Sequence, residues 1–276
     1  MNKKLFFYIP FLFTVRTRMR SVKSLLAYIV YFPITWLLTL FFEQNFSWTH
    51  FFLAFLYFYS IYEFGYLQND CETIKREEKP TLRLNIEDLQ YYEENKQIIY
   101  ITRILFFFLF GSLLYKSGVK LELIFFPLAI IPVFFVYNII RSGKNLFIHL
   151  LLMILKHATI VFLTLNYCSW SVLVWLFFYH PLCFFIELSV KGKFGYQNKT
   201  MQRLFIPQYN KRYVHLFRFY YQLLFLILSA ILIAIGFFSW WLIIGNLFYL
   251  GVIFFTLIIF GRMDYSSKDS ATTVCK

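Results

Sequence analysis

The sequence predicts an all-α polytopic membrane protein, a bundle of about eight transmembrane helices with two long cytoplasmic loops. Three observations carry this. The 276 residues are 60% hydrophobic and only 15% charged, whereas a soluble domain carries about 25% charged residues. A globule of this size could not bury so much apolar surface, so lipid must solvate much of it. Eight apolar stretches approach the roughly 20 residues needed to cross a bilayer core about 30 Å thick. The connections between them alternate in basic charge. Soluble enzyme, disordered tail, coiled coil and disulfide scaffold are excluded.

Residues 1–22 begin like a signal peptide, but no small-residue cleavage site follows. With Lys3, Lys4, Arg16, Arg18 and Arg20 they read as a cytoplasmic interfacial segment. The spans follow at 23–42, 49–68, 98–116, 121–140, 146–166, 169–188, 214–236 and 239–260, and 261–276 is a cytoplasmic tail. Together 1–276 form a single membrane domain, with the bundle at 23–260. Pro33, Pro127, Pro132 and Pro181 fall inside spans, where membrane helices tolerate proline. The turns at 43–48, near 167 and at 237–238 hold no Lys or Arg, and the turn at 117–120 holds Lys120 alone. The loop 69–97, the connection with Arg141 and Lys144, and the loop 189–213 are basic. By the positive-inside rule both termini are cytoplasmic. The net charge of +13 then reads first as topogenic and second as a sign of an anionic ligand such as phosphate; no nucleic-acid module is present. Cys71, Cys168, Cys183 and Cys275 form no CxxC or metal-ligand spacing.

Three constellations could carry chemistry. The loop 69–97 holds eight of the chain's 14 acids: Asp70, Glu72, Glu77, Glu78, Glu87, Asp88, Glu93 and Glu94. On a helix Asp70, Thr73 and Glu77 would share one face. Carboxylates so placed suit Mg²⁺, which in turn carries a pyrophosphate, while Lys75, Lys79 and Arg83 could neutralise phosphate charge. The alternative is a solvated, salt-bridged loop helix. The loop after the sixth span offers Glu187, then Lys191, Gly192, Lys193, Gly195, Tyr196 and Asn198, a pattern suited to an oxygen-rich anion, or simply topogenic. At the end of the fourth span stand Tyr137, Arg141 and Lys144, and inside the fifth lie Lys156 and His157. Charge at membrane depth faces a cavity or a partner. Glu63, seven residues before Asp70, is a candidate partner for Lys156 or Arg103. His180, before Pro181, reads as a core histidine.

Two polar cytoplasmic loops, after the second and sixth spans, with the first opening on Asn69-Asp70, resemble the UbiA-type intramembrane prenyltransferases. The resemblance covers roughly 20–240. It implies a central lipid-open cavity, commonly nine spans, and two acidic motifs holding Mg²⁺ against a polyprenyl diphosphate. In the family's Asn-Asp-x-x-Asp-x-x-x-Asp motif Asn69 and Asp70 match; the next acidic positions fall on Thr73 and Glu77, with Glu72 close by. The second loop carries Glu187 and lysines where the family has aspartates. It is nearer in character to the decaprenyl-phosphate phosphoribosyltransferase branch, in which a polyprenyl phosphate is the nucleophile and phosphoribosyl pyrophosphate the donor. The resemblance implies an Mg²⁺-dependent transferase in a bacterial inner membrane, facing the cytoplasm. Asn69, Asp70 and Glu77 would be catalytic, and Asp70, Glu72 and Glu77 would hold the metal. Lys75, Lys79, Arg83, Arg141, Lys144, Lys191 and Lys193 would bind phosphates. Lys156, Glu187, Tyr196 and Asn198 would meet substrate. Prenyl transfer to an aromatic or other polar acceptor is the alternative within the family. A lipid-linked sugar flippase or transporter is the alternative outside it.

The alternation of charge makes a direct prediction. Single cysteines placed by Ser47→Cys and Ser267→Cys should be labelled from opposite sides of the membrane; labelling from one side would overturn the topology.

Overall fold

Every regular element among the described residues is helical, in a computed structural model that describes residues 4–41, 46–77, 80–140, 142–192, 197–207 and 211–266. A 3₁₀ turn at Leu5–Phe7 precedes α1 (Leu12–Arg18). Then come α2 (Val22–Phe41), α3 (Trp48–Leu67), α4 (Ile86–Lys116), α5 (Leu121–Ile139) and α6 (Asn145–Leu165). The last four are α7 (Trp170–Lys191), α8 (Lys199–Phe205), α9 (Lys211–Ala234) and α10 (Leu242–Ser266). Six of them, α2, α4, α5, α6, α7 and α9, are long and apolar enough to cross a membrane, so the chain is a membrane protein. The stretches 49–68 and 239–260 are helical too, as α3 and α10. Tyr57, Tyr59, Tyr62, Tyr66, Ser60 and Glu63 make α3 the more polar helix, and α10 is apolar over Leu242–Ile258.

The helix ends follow from local chemistry. Ser21 and Ser24 close a capping box at the start of α2. Ser47 accepts from the His50 N–H at 3.3 Å to start α3, and Asn85 accepts from the Asp88 N–H at 2.7 Å to start α4. Pro33 has no N–H to donate, and α2 widens around it into a π-turn over Val30–Ile34. Pro181 breaks α7 after Tyr179. α4 has 31 residues, about 46 Å. Its charged first turns and its apolar remainder are one rod, so the second half of the loop 69–97 is helix continuous with a span.

The contacts gather into two compact units, Met1–Arg141 with Leu151–Ser169, and Ser142–Leu150 with Trp170–Lys276; the division falls within α6. In the first unit α3 packs along α4 and α5. A Cβ on Gly65 would lie 2.1 Å from Cγ of Phe134, so glycine alone permits this approach of α3 to α5. The Asn138 amide donates to the Gly65 carbonyl at 3.1 Å beside it.

An ion pair at the centre of this unit ties the N-terminal segment down. Glu63 and Arg103 are both 0% exposed, and Arg103 Nη1 donates to Glu63 Oε2 at 2.6 Å. Of the two partners offered to Glu63 by the sequence, the structure selects Arg103. The same carboxylate accepts from the Phe11 N–H at 3.0 Å, and from the N–H and hydroxyl of Thr14 at 2.6 and 2.7 Å. Arg103 also donates to the carbonyls of Phe7 at 2.9 Å and Phe6 at 3.3 Å. Phe6, Phe7 and Phe13 are thereby buried with Leu67, Cys71, Tyr92 and Ile99.

In the second unit α9 and α10 form a helical hairpin. The break at Pro181 leaves carbonyls without helical partners. The Tyr221 hydroxyl donates to that of Phe178 at 2.7 Å, and the Gln222 amide to that of Tyr179 at 2.7 Å. Asn246 accepts from Trp175 Nε1 at 3.0 Å and donates to Ser229 Oγ at 2.6 Å.

Removing one member of a buried ion pair strands the other, at a cost of about 3–5 kcal/mol. Arg103→Met should therefore lower the thermal midpoint in detergent markedly and open the N-terminal segment to trypsin at Arg16 and Arg18. Unchanged stability and unchanged cleavage would show that the pair does not hold the segment.

Candidate functional site

The acidic segment after α3 does not continue as an α-helix. The chain widens into a π-turn at Gln68–Glu72, tightens into a 3₁₀ turn at Thr73–Arg76, and leaves Glu77 extended at φ −94°, ψ 132°. Asp70, Thr73 and Glu77 therefore do not share a helix face, which corrects the sequence expectation. The π-turn offsets the 70–72 carbonyls from helical register, and Thr73 Oγ1 donates back to the Gln68 carbonyl at 3.1 Å. Pro80, further on, is incompatible with an uninterrupted helix.

Each carboxylate brought together here is met by cations. Asp70 is 1% exposed. It accepts from Arg18 Nη1 at 2.6 Å and Nη2 at 3.2 Å, from Arg83 Nη1 at 2.9 Å, and from the Asn69 amide at 2.9 Å. Arg18 also lies 4.1 Å over the Tyr66 ring. Glu72 accepts from Lys75 at 3.0 Å, from the Tyr92 hydroxyl at 3.0 Å, and from Lys96. Burial pushes the Glu72 carboxyl up, but the bonds from Lys96, Lys75 and Tyr92 outweigh it and hold the group down at about 2. Lys75 turns as well to Glu93, and Asp88 binds Lys4 at 2.6 Å.

These partners do not leave a metal centre as placed. Among the described residues no group of three or more His, Cys, Asp or Glu side chains could hold a metal ion. Asp70, with two guanidiniums and an amide on its oxygens, is geometrically a carboxylate clamp for arginines. The residues do not fit Mg²⁺ in this arrangement.

Beside this cluster, within the first unit, lies a groove of about 440 Å³. Its walls are apolar, from Ile61, Phe64, Ile130, Ile131, Phe134 and Phe135. Its polar end is formed by Gln68, Glu72, Arg76 and Lys96. Arg76 is exposed, and among the described residues no hydrogen bond or ion pair engages it. Lys156 is elsewhere in this unit, 3% exposed and packed on aromatic rings.

The remaining expected residues fall in the second unit or outside the described residues. Lys144 is exposed just before α6, Lys191 ends α7, and Gly192 caps it at φ +71°. Asn198 caps α8, accepting from the Met201 N–H at 3.0 Å. Glu187 accepts from Arg218 at 2.6 and 3.0 Å. His180 is buried and stacked on Phe184. Lys79, Arg141, Lys193 and Tyr196 lie outside the described residues. Sequence reading assigned Arg18, Arg76 and Lys96 only a topogenic role and gave Tyr92 none; nothing in their spacing announces the pairing of residues 52 and 24 positions apart.

The Glu72 cluster predicts a pH dependence. Its carboxyl titrates at about 2 instead of 4.5. A depressed carboxylate stabilises the folded state fully above its unfolded value and loses that stabilisation as it is protonated. The stability advantage of the wild type over Glu72→Gln should therefore be constant above about pH 5 and shrink as the pH falls toward 2. An advantage that stays flat through this window in acid-unfolding curves would refute the assignment.

The chain was compared with family models, with curated proteins and with solved structures, and none matches it.

Proposed function

We propose that this protein is a UbiA-like membrane transferase acting on a polyprenyl phosphate or diphosphate lipid, with phosphoribosyl pyrophosphate as donor. The observation that carries the reading is the groove. An apolar groove whose polar residues include Arg76, which no hydrogen bond or ion pair engages among the described residues, and Lys96, which is shared with Glu72, matches a lipid with an apolar tail and an anionic head. A lipid phosphate held at Arg76 and Lys96 would present an oxygen to the ribosyl carbon, with pyrophosphate as the leaving group. The protein's share is positioning and neutralisation of charge.

Of the three carboxylates that the resemblance offers to Mg²⁺, Asp70 and Glu72 are engaged by cations and Glu77 stands in extended chain beyond them, so no step is routed through them. Lys144, Lys191, Glu187 and Asn198 enter this reading through the resemblance alone. So do nine spans and a bacterial inner membrane, whereas eight spans and cytoplasmic termini rest on the apolar stretches and the alternation of basic connections.

The test is a product assay with labelled phosphoribosyl pyrophosphate and polyprenyl phosphate, with and without EDTA. Labelled lipid should form. Arg76→Ala should raise the KM for the lipid about tenfold, the loss of one charge-assisted contact, and leave the donor KM alone. Absence of labelled lipid would refute this donor. Product formed from polyprenyl diphosphate and an aromatic acceptor instead would establish the alternative transferase.

A further inference from the structure

The polar end of the groove carries three charged side chains, Glu72, Arg76 and Lys96. A carboxylate therefore stands at the place where an anionic head would lie. It is ionised at neutral pH, because Lys96, Lys75 and the Tyr92 hydroxyl hold its carboxyl down at about 2. A negative charge in a site for negative charge is a cost to any ligand, and the geometry shows how that cost is applied.

Glu72 has three donors. Oε2 accepts from Lys75 at 3.0 Å, and Oε1 accepts from the Tyr92 hydroxyl at 3.0 Å and from Lys96. Of these three donors Lys96 alone lines the groove. Tyr92 is 0% exposed and hydrogen-bonded to Tyr100 at 3.2 Å, which fixes its hydroxyl. If Lys96 turned to an anion, each carboxylate oxygen would keep one donor, so Glu72 would not be stranded. Lys96 is partly exposed and sits on a long, flexible stem, so it can turn. Arg76, engaged by no hydrogen bond or ion pair among the described residues, would join it.

We propose that Glu72 sets the charge selectivity of the groove: it engages Lys96 while the groove is empty, competes with an entering anion for that ammonium, and holds down the affinity for a second negative charge on the head. This rests on the reading that an anionic lipid head lies at Arg76 and Lys96, and not on the donor or on the transfer step. Coulomb energy is proportional to the charge on the head. A partly exposed carboxylate acts on one charge as a screened surface pair does, roughly threefold in affinity. On two charges the same geometry gives about tenfold.

The full-length protein in dodecyl maltoside at pH 8 is titrated with dodecyl phosphate, a dianion there, with its methyl ester, a monoanion, and with dodecanol, and binding is read from the rise in unfolding midpoint of each protein over its own ligand-free value. Glu72→Gln should bind dodecyl phosphate about tenfold more tightly than the wild type, the methyl ester roughly threefold more tightly, and dodecanol no differently. A merely structural role would move all three alike. Lys96→Met should bind dodecyl phosphate more weakly than the wild type, and the gain from Glu72→Gln should shrink in its background. Glu93→Gln, which removes the other partner of Lys75 outside the groove lining, should leave all affinities unchanged. Wild-type binding of the alkyl phosphates with no gain in Glu72→Gln, an equal gain for both charges, or the same gain in Glu93→Gln would overturn the role of Glu72 and leave the groove reading standing. No binding of either alkyl phosphate by any of these proteins would overturn both. If Glu72→Gln does not fold, Lys96→Met decides: a wild-type affinity for dodecyl phosphate in it would show that no anion competes for Lys96.

Discussion

The buried pair of Glu63 and Arg103 is the constraint on which the first unit depends. A carboxylate inside a helical bundle is tolerable only if every lone-pair direction is answered, and this one is answered by a guanidinium, two backbone N–H groups and a hydroxyl. Because the N–H groups belong to Phe11 and Thr14, and because Arg103 reaches the carbonyls of Phe6 and Phe7, the pair is at once a lock between α3 and α4 and the anchorage of α1. The charge at the bundle centre therefore fixes where the N-terminal segment lies. Arg18 is delivered to Asp70 as a consequence.

That delivery reassigns the acidic segment. Asp70 and Glu72 meet cations from parts of the chain remote in sequence, and the pairing leaves Asp70 saturated. The groove beside them gains its polarity from residues around this cluster: Lys96 belongs to it, and Arg76 takes no part in its ion pairs among the described residues. A negative segment thus organises a positive mouth. The electrostatic character of the groove is set by which cations remain unanswered once the carboxylates are satisfied, not by the local count of acids.

The second unit is held by a different device. In a hydrocarbon environment, polar side chains between helices take hydrogen bonds that water would otherwise supply. Asn246 bridges Trp175 and Ser229, and Tyr221 and Gln222 reach the carbonyls released at the Pro181 break. Gly245 admits Trp175 closely: a Cβ there would stand 2.9 Å from the indole ring. The broken α7 is kept as a unit by its neighbours, which is how membrane helices tolerate proline.

The sequence by itself determined that this is an all-helical membrane protein and placed its apolar stretches, because the length and apolarity of a span are local properties. The capping residues Ser21, Ser47, Asn85 and Asn198 act within three residues, so these helix starts too are set by local chemistry. The depth of Lys156 was readable from its distance to the ends of an apolar run, and Glu63 announced that it needs a cation. Which cation was decided only by tertiary structure, since Lys156 and Arg103 are equivalent candidates until helices pack. The fate of Asp70 was decided there too. Spacing along the chain suggested carboxylates sharing a helix face, but the π-turn at Gln68–Glu72 rotates them apart and two arginines close on the first. Hydrogen bonds between residues 52 or 63 positions apart, such as those of Arg18 and Arg20, leave no periodic trace in a sequence. Their geometry exists only after the N-terminal segment has been pinned beneath the bundle's one fully buried ion pair among the described residues.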